Sequence, residues 1–170
     1  MLTKEMEKAL NGQITIEAES SQVYLAMASW AETQGMEGVA EFMYMHSDEE
    51  RMHMMKLVRF VNDRGGKTQL KEVEVPPQQY KSVLDIFTQI KEHEEYITSS
   101  INNLYGVTVD ERDYTTGNFL QWYITEQIEE ESLFNTILDK IQLVGADKAG
   151  MFHIDKELDG MTTGTAAPAE

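Results

Sequence analysis

Cysteine is absent from this 170-residue chain, which excludes disulfides, zinc–thiolate sites and iron–sulfur clusters. Proline is nearly absent. Two of the three prolines are adjacent, at Pro76 and Pro77, and none lies between Leu2 and Val75, so nothing in that stretch breaks a long helix. No run of about 18 apolar residues occurs, which leaves no membrane-spanning helix. The first residues, Met1 to Glu5, turn polar at once and lack the apolar stretch of a signal peptide, so a cytoplasmic location is expected. Positive charge is scarce as well: 14 Lys+Arg stand against 30 Asp+Glu, a net charge of −16. A chain this acidic is a poor partner for nucleic acid or an anionic membrane. It favours cations, unless the acid only keeps the surface soluble.

What is present is helix. Glycines at Gly35, Gly65-Gly66, Gly106 and Gly145 read as helix stops. Ser82 followed by Asp85, and Asp110 followed by Asp113, read as starts. The punctuation predicts four long helices, over about 5–33, 37–64, 82–105 and 111–143, and a short fifth over about 147–156. Residues 1–157 would form the bundle. Residues 158–170, poor in large apolar side chains, would be a flexible tail. Short turns make antiparallel hairpins of the first two helices and of the second two. The connection 65–81 is long enough, at roughly 50 Å extended, to run the length of the first helix, roughly 43 Å. The fold class expected is all-α: a four-helix bundle with one long crossover between its second and third helices, and a short fifth helix.

Each helix carries an apolar stripe interrupted by polar groups. The stripes read Met6, Leu10, Gln13, Glu17, Ser20, Tyr24, Met27; then Val39, Phe42, His46, Glu50, His53, Leu57, Phe60; then Val83, Phe87, Ile90, Glu94, Ile97, Ile101, Leu104; then Leu120, Tyr123, Gln127, Glu130, Phe134, Ile137, Ile141. The interruptions stand level. Glu17 and His53 are equidistant from a turn at Gly35, and Glu94 and Gln127 from a turn near Asp110. Glu17 and Glu50 are 33 residues apart, as are Glu94 and Gln127, so the hairpins are pseudo-equivalent. A buried polar layer that only sets register would not bring three carboxylates together without Arg or Lys. A metal pair would need that chemistry, and the pattern is a Glu on each of two helices plus Glu-x-x-His, here Glu50 to His53. Oxygen ligands with one imidazole suit Fe(II), Mn(II) or Zn(II).

On Glu17, Tyr24, Glu50-x-x-His53, Glu94, Gln127 and Glu130, residues 1 to about 157 resemble a bacterial non-haem ferritin. The resemblance implies a ferritin-like bundle and a di-iron ferroxidase centre. Glu17 and His53 would hold one iron and Glu94 and Glu130 the other. Glu50 would bridge them, and Gln127 would be a neighbour or weak ligand. Tyr24 and Trp122 would supply electrons to the oxidant, O2 or hydrogen peroxide. It also implies a 24-subunit homo-oligomeric cage that stores ferric mineral. Haem is not expected, because Arg51 stands where the haem-binding relatives place a methionine, with Met52 one step on. A non-storage di-metal oxidase or peroxidase is the alternative. Among the weaker signals, His46 reads as a core or supporting histidine, His93 as a surface group and His153 as a helix-five side chain, with a subunit contact or pore as the less favoured alternative to a plain surface position. The methionines Met43, Met45, Met52, Met54 and Met55 read as packing. Glu49, Glu126, Glu129 and Glu130 form an acidic cluster that spacing alone leaves open between a solvated face and a site. The resemblance implies a third iron there, with Glu130 shared.

Overall fold

The computed structural model describes residues 1–164. Five helices follow one another: α1 Lys4–Thr33, α2 Glu37–Asp63, α3 Val83–Asp110, α4 Tyr114–Val144 and α5 Lys148–Gly164. The expected all-α bundle is what the chain builds. Every stripe position named above is buried except Phe60, which is half-buried. Among the described residues no helix is long and apolar enough to cross a membrane.

Thr3 caps α1, accepting from the Met6 amide at 3.1 Å, and Ser82 caps α3 through the Asp85 amide at 3.1 Å. The α1–α2 turn closes on Gly35, whose φ of 73° suits a residue without a side chain. Two boundaries differ from the sequence reading. α3 runs through Gly106 to Asp110, because Thr108 beyond it is buried against the start of α4, beside Gly117. The cap of α4 is accordingly Asp113, whose carboxylate accepts from the Thr116 amide and from Arg64 Nη2, at 3.1 and 3.2 Å, while Nη1 of the same guanidinium fork donates to Thr116 Oγ1 at 2.9 Å. That fork joins the end of α2 to the start of α4.

The crossover runs the length of α1, as its length predicts. Buried Asn11 donates to the Lys67 carbonyl and accepts from the Gln69 amide at 2.6 Å. Further along, the Glu74 amide reaches Glu19, and Tyr80 meets Trp30 edge to face. α2 and α3 therefore run parallel. Residues 73–76 form no strand.

The fifth helix is longer than expected. It continues through 158–164, which the sequence reading assigned to a flexible tail; residues 165–170 of that tail lie outside the described part. Ile154 and Leu158, one helical turn apart, are 6% and 1% exposed and join the core beside α2. Asp155 accepts from the Val39 amide at 3.0 Å, supplying an N-terminal cap that α2 lacks from its own Met36. Gly38 permits the approach: a Cβ there would stand 1.8 Å from the Asp155 carbonyl oxygen.

The apolar core is split. One cluster gathers Tyr24, Phe42, Phe87, Ile90, Phe134 and their neighbours; the other gathers Met6, Leu10, Leu57, Ile97, Leu104 and Leu120. The polar interruptions lie between them.

Candidate metal centre

Helical spacing delivers the polar layer. Glu17, Glu50 and Glu94 are 1%, 3% and 0% exposed, and no Lys or Arg shares their layer among the buried residues. Glu17, Glu50 and His53 each offer a ligand atom, all within 4.8 Å of one another. Glu50 Oε2 is 3.4 Å from His53 Nδ1. Gln13 orients Glu17 by donating to its Oε1 at 2.9 Å, and Gln13 is in turn held by the Ser100 hydroxyl at 2.7 Å. Trp122 stands edge-on to the His53 ring with centroids 5.1 Å apart, and the Lys56 ammonium lies 3.4 Å above its indole.

The α3–α4 side is arranged differently. Both oxygens of Glu94 are engaged, Oε1 by the Tyr24 hydroxyl at 2.6 Å and Oε2 by Gln127 Nε2 at 3.0 Å. Glu130 turns toward His46, whose Nε2 is 3.9 Å from Glu130 Oε2 and whose Nδ1 donates to the Phe42 carbonyl at 2.8 Å. Thus Glu94 and Glu130 are both present in the layer but are not gathered in one ligand group.

Electrostatics follow from burial. Removal from water pushes Glu17 well above the carboxylate range, and the Glu50 charge adds to it. Burial, then the Glu94 charge, does the same to Glu50. Burial raises Glu94, and it pushes Glu130 up to about 9. Burial also lowers His46, whose ring faces Glu130. Two buried oxygens, Glu50 Oε2 and Glu130 Oε2, receive no hydrogen bond. Buried carboxylates with unfilled lone pairs and no cationic partner are the donor set of a hard-to-borderline cation. Divalent iron fits it: the charges that repel one another here attract a metal, which displaces the protons.

The acidic cluster also comes together, in part. Glu49 reaches His46 and Glu130 on one side, and His53 and Glu126 on the other, each set within 4.8 Å. Glu129 is exposed and belongs to neither set, but it lines the same funnel of about 560 Å³, whose rim also includes Met45, Leu133 and Met161 of α5. The sequence reading missed several supporting residues: Gln13 as the partner of Glu17, Thr98, and the Lys56–Trp122 contact. It also placed His93 on the surface, whereas the ring is half-buried and shares a 3.0 Å hydrogen bond with the Ser20 hydroxyl. His153 is exposed on α5, and Arg51 and Met52 lie on the exposed face of α2.

The chain is similar to known proteins along most of its length. A family model described as the ferritin-like domain matches residues 7–144. A probable bacterial non-heme ferritin-like protein of Haemophilus influenzae is 45% identical, over 96% of this chain and 99% of the relative. The bacterial non-heme ferritin of Campylobacter jejuni is 43% identical, over 92% and 93%. Among solved structures, an open-pore ferritin from the hyperthermophilic archaeon Archaeoglobus fulgidus superposes with a TM-score of 0.92 at 41% identity, covering 94% of this chain and 98% of that one. With the family model spanning all four bundle helices and relatives aligned nearly end to end, the chain belongs to the ferritin family.

Proposed function

We propose that this chain stores iron by oxidising Fe(II) at the polar layer and depositing Fe(III) inside a 24-subunit cage. The observation that carries the reading is the pair of orphaned carboxylate oxygens, on Glu50 and Glu130, inside a layer of four buried glutamates and one ligating histidine. Fe(II) is the substrate. Glu17 and His53 hold one ion, Glu94 and Glu130 the other, and Glu50 spans them, with Gln127 beside Glu94. Each Fe(II) gives one electron to the oxidant, O2 or hydrogen peroxide. The carboxylates favour the more highly charged Fe(III), which lowers the barrier to electron loss. Tyr24 and Trp122 touch Glu94 and His53 and are placed to add electrons. Glu49, Glu126, Glu129 and Glu130 hold a third iron in the funnel on its way to the mineral. No haem takes part, since Arg51 follows the bridging glutamate. The setting is the cytoplasm.

A non-storage oxidase would need an apolar substrate pocket at the metals. The nearest apolar chamber, about 260 Å³, is below the usual range of roughly 300–1,000 Å³ for organic ligands and is screened from Glu94 by Gln127. Native mass with iron staining decides between the readings. The cage runs near 24 times 19.4 kDa and stains after aerobic Fe(II) loading; a species of tens of kDa that turns over without retaining iron would replace storage with the oxidase.

A further inference from the structure

Two openings flank α4. On one side lies the acidic funnel. On the other, between α3 and α4, is the 260 Å³ chamber. Ile101, Ile124 and Ile128 supply its apolar wall, Thr98, Asn102, Gln127 and Glu131 complete the lining, and Ile128 is 66% exposed at the mouth. Its single charged wall residue, Glu131, accepts the Thr98 hydroxyl at 2.5 Å. Gln127 forms part of the wall too, and its Nε2 donates to Glu94 at 3.0 Å with Thr98 Oγ1 3.4 Å away. One side-chain amide is therefore all that separates the chamber from a carboxylate of the metal layer.

We propose that this chamber is the dioxygen antechamber of the site, with O2 collecting among the three isoleucines and passing Gln127 to reach the iron. The inference rests on the ferroxidase reading above. The two reactants differ in what they need from a doorway. Fe(II) leaves water only where carboxylates replace its shell, which the funnel provides and three isoleucines do not. O2 is small, apolar and weakly hydrated, so an apolar cavity concentrates it as such cavities take up xenon. The chamber is large enough for a diatomic, and its one carboxylate, Glu131, is tied to the Thr98 hydroxyl. Gln127 is a gate well suited to a neutral guest: swinging the amide from Glu94 toward Thr98 breaks one hydrogen bond and strengthens another. The chamber delivers the oxidant only; the electrons still come from Fe(II).

Xenon and oxygen kinetics test this together. Crystals of the iron-free protein pressurised with xenon should show the gas among Ile101, Ile124 and Ile128. Ile128→Trp should abolish that density, raise the KM for O2 by roughly fivefold or more, and leave kcat at saturating O2 within about twofold. Anaerobic Fe(II) binding should not change. Ile124→Phe fills the chamber from the other wall and should move the KM the same way, so a folding defect in one variant leaves the other to decide. An empty chamber under xenon, or a wild-type KM for O2 in both filled variants, overturns the proposal. So does a rise in the KM for Fe(II) alone, which would make the chamber a cation route, or an equal slowing when hydrogen peroxide replaces O2. Wild-type protein that oxidises no Fe(II) would instead sink the ferroxidase reading, on which the xenon map does not depend.

Discussion

The two hairpins offer nearly the same backbone to the metal layer and use it oppositely. In the α1–α2 half, Glu17, Glu50 and His53 converge within 4.8 Å, and Glu50 keeps an unbonded oxygen. In the α3–α4 half the equivalent places carry Glu94, Gln127 and Glu130. There the protein occupies its own carboxylate: Tyr24 and Gln127 bind both oxygens of Glu94, while Glu130 rests against His46. One half gathers a candidate ligand set around an unbonded oxygen. The other is held in a satisfied conformation that a cation must displace. Gln127, at the place equivalent to Glu50, supplies the amide that holds Glu94 Oε2, and Tyr24 takes the other oxygen. The first Fe(II) should therefore bind in the α1–α2 half and the second only after Glu94 and Glu130 reorient.

Removing Glu50 breaks the comparison at its centre. Glu50→Ala should slow the initial oxidation of Fe(II) by about 100-fold or more in stopped-flow absorbance while the cage still assembles; a wild-type rate would show that the α1–α2 set is not the oxidation site. A narrower change sharpens the contrast. Tyr24→Phe frees Glu94 Oε1, which a second cation otherwise has to take from the hydroxyl, and should strengthen the second of two Zn(II) binding steps by about tenfold in calorimetry, leaving the first unchanged. An equal change in both steps would mean the halves are not separable.

Glu49→Ala with Glu126→Ala should lower anaerobic Fe(II) binding by about one ion per subunit and spare the fast step. Unchanged stoichiometry would return these glutamates to a role as surface charge. The smallest effect is on the iron-free fold. Burial lifts Glu130 from its ordinary range to about 9. Its proton is bound more tightly folded than unfolded, so its contribution to stability is complete below the ordinary carboxylate pKa and fades as pH rises toward 9. Glu130→Gln should flatten the decline of Tm between pH 5 and 9 by a few degrees, on the order of what about 1 kcal/mol does to a domain of this size. A slope identical to wild type would place the Glu130 proton elsewhere.

Periodicity carried the inner faces and their heights, because helical spacing alone decides which residues share a stripe. Glu17, Glu50, His53 and Glu94 were legible for that reason, and so was the crossover, whose length left it one route along α1. Contacts between helices were not legible. Nothing in the spacing shows that the Tyr24 hydroxyl bonds Glu94, that His46 rests against Glu130, or that His93 turns inward to Ser20; these depend on rotamers chosen by neighbours far away in the chain. Gly106 looked like a stop because glycine is a poor helix former, yet burial of Thr108 outweighs a propensity of roughly 1 kcal/mol. The end of α5 was misread because Ile154 and Leu158 are only two large apolar residues, a weak signal until their seat beside α2 is seen.

The bond from the Val39 amide to Asp155 spans 116 residues of sequence, and that separation bears on the order of folding. The α1–α2 hairpin closes through a short turn and can form early, but the start of α2 stays uncapped until a segment beyond α4 arrives. Contacts of such long range are made late, since loop closure must precede any gain from them. Docking of α5 then works as a completion step: it caps α2, seals Leu158 into the core and sets Met161 at the rim of the acidic funnel in one event. A chain that has folded its bundle without docking α5 would carry an open funnel and a frayed α2, and hydrogen exchange at Val39 would report the population of that state.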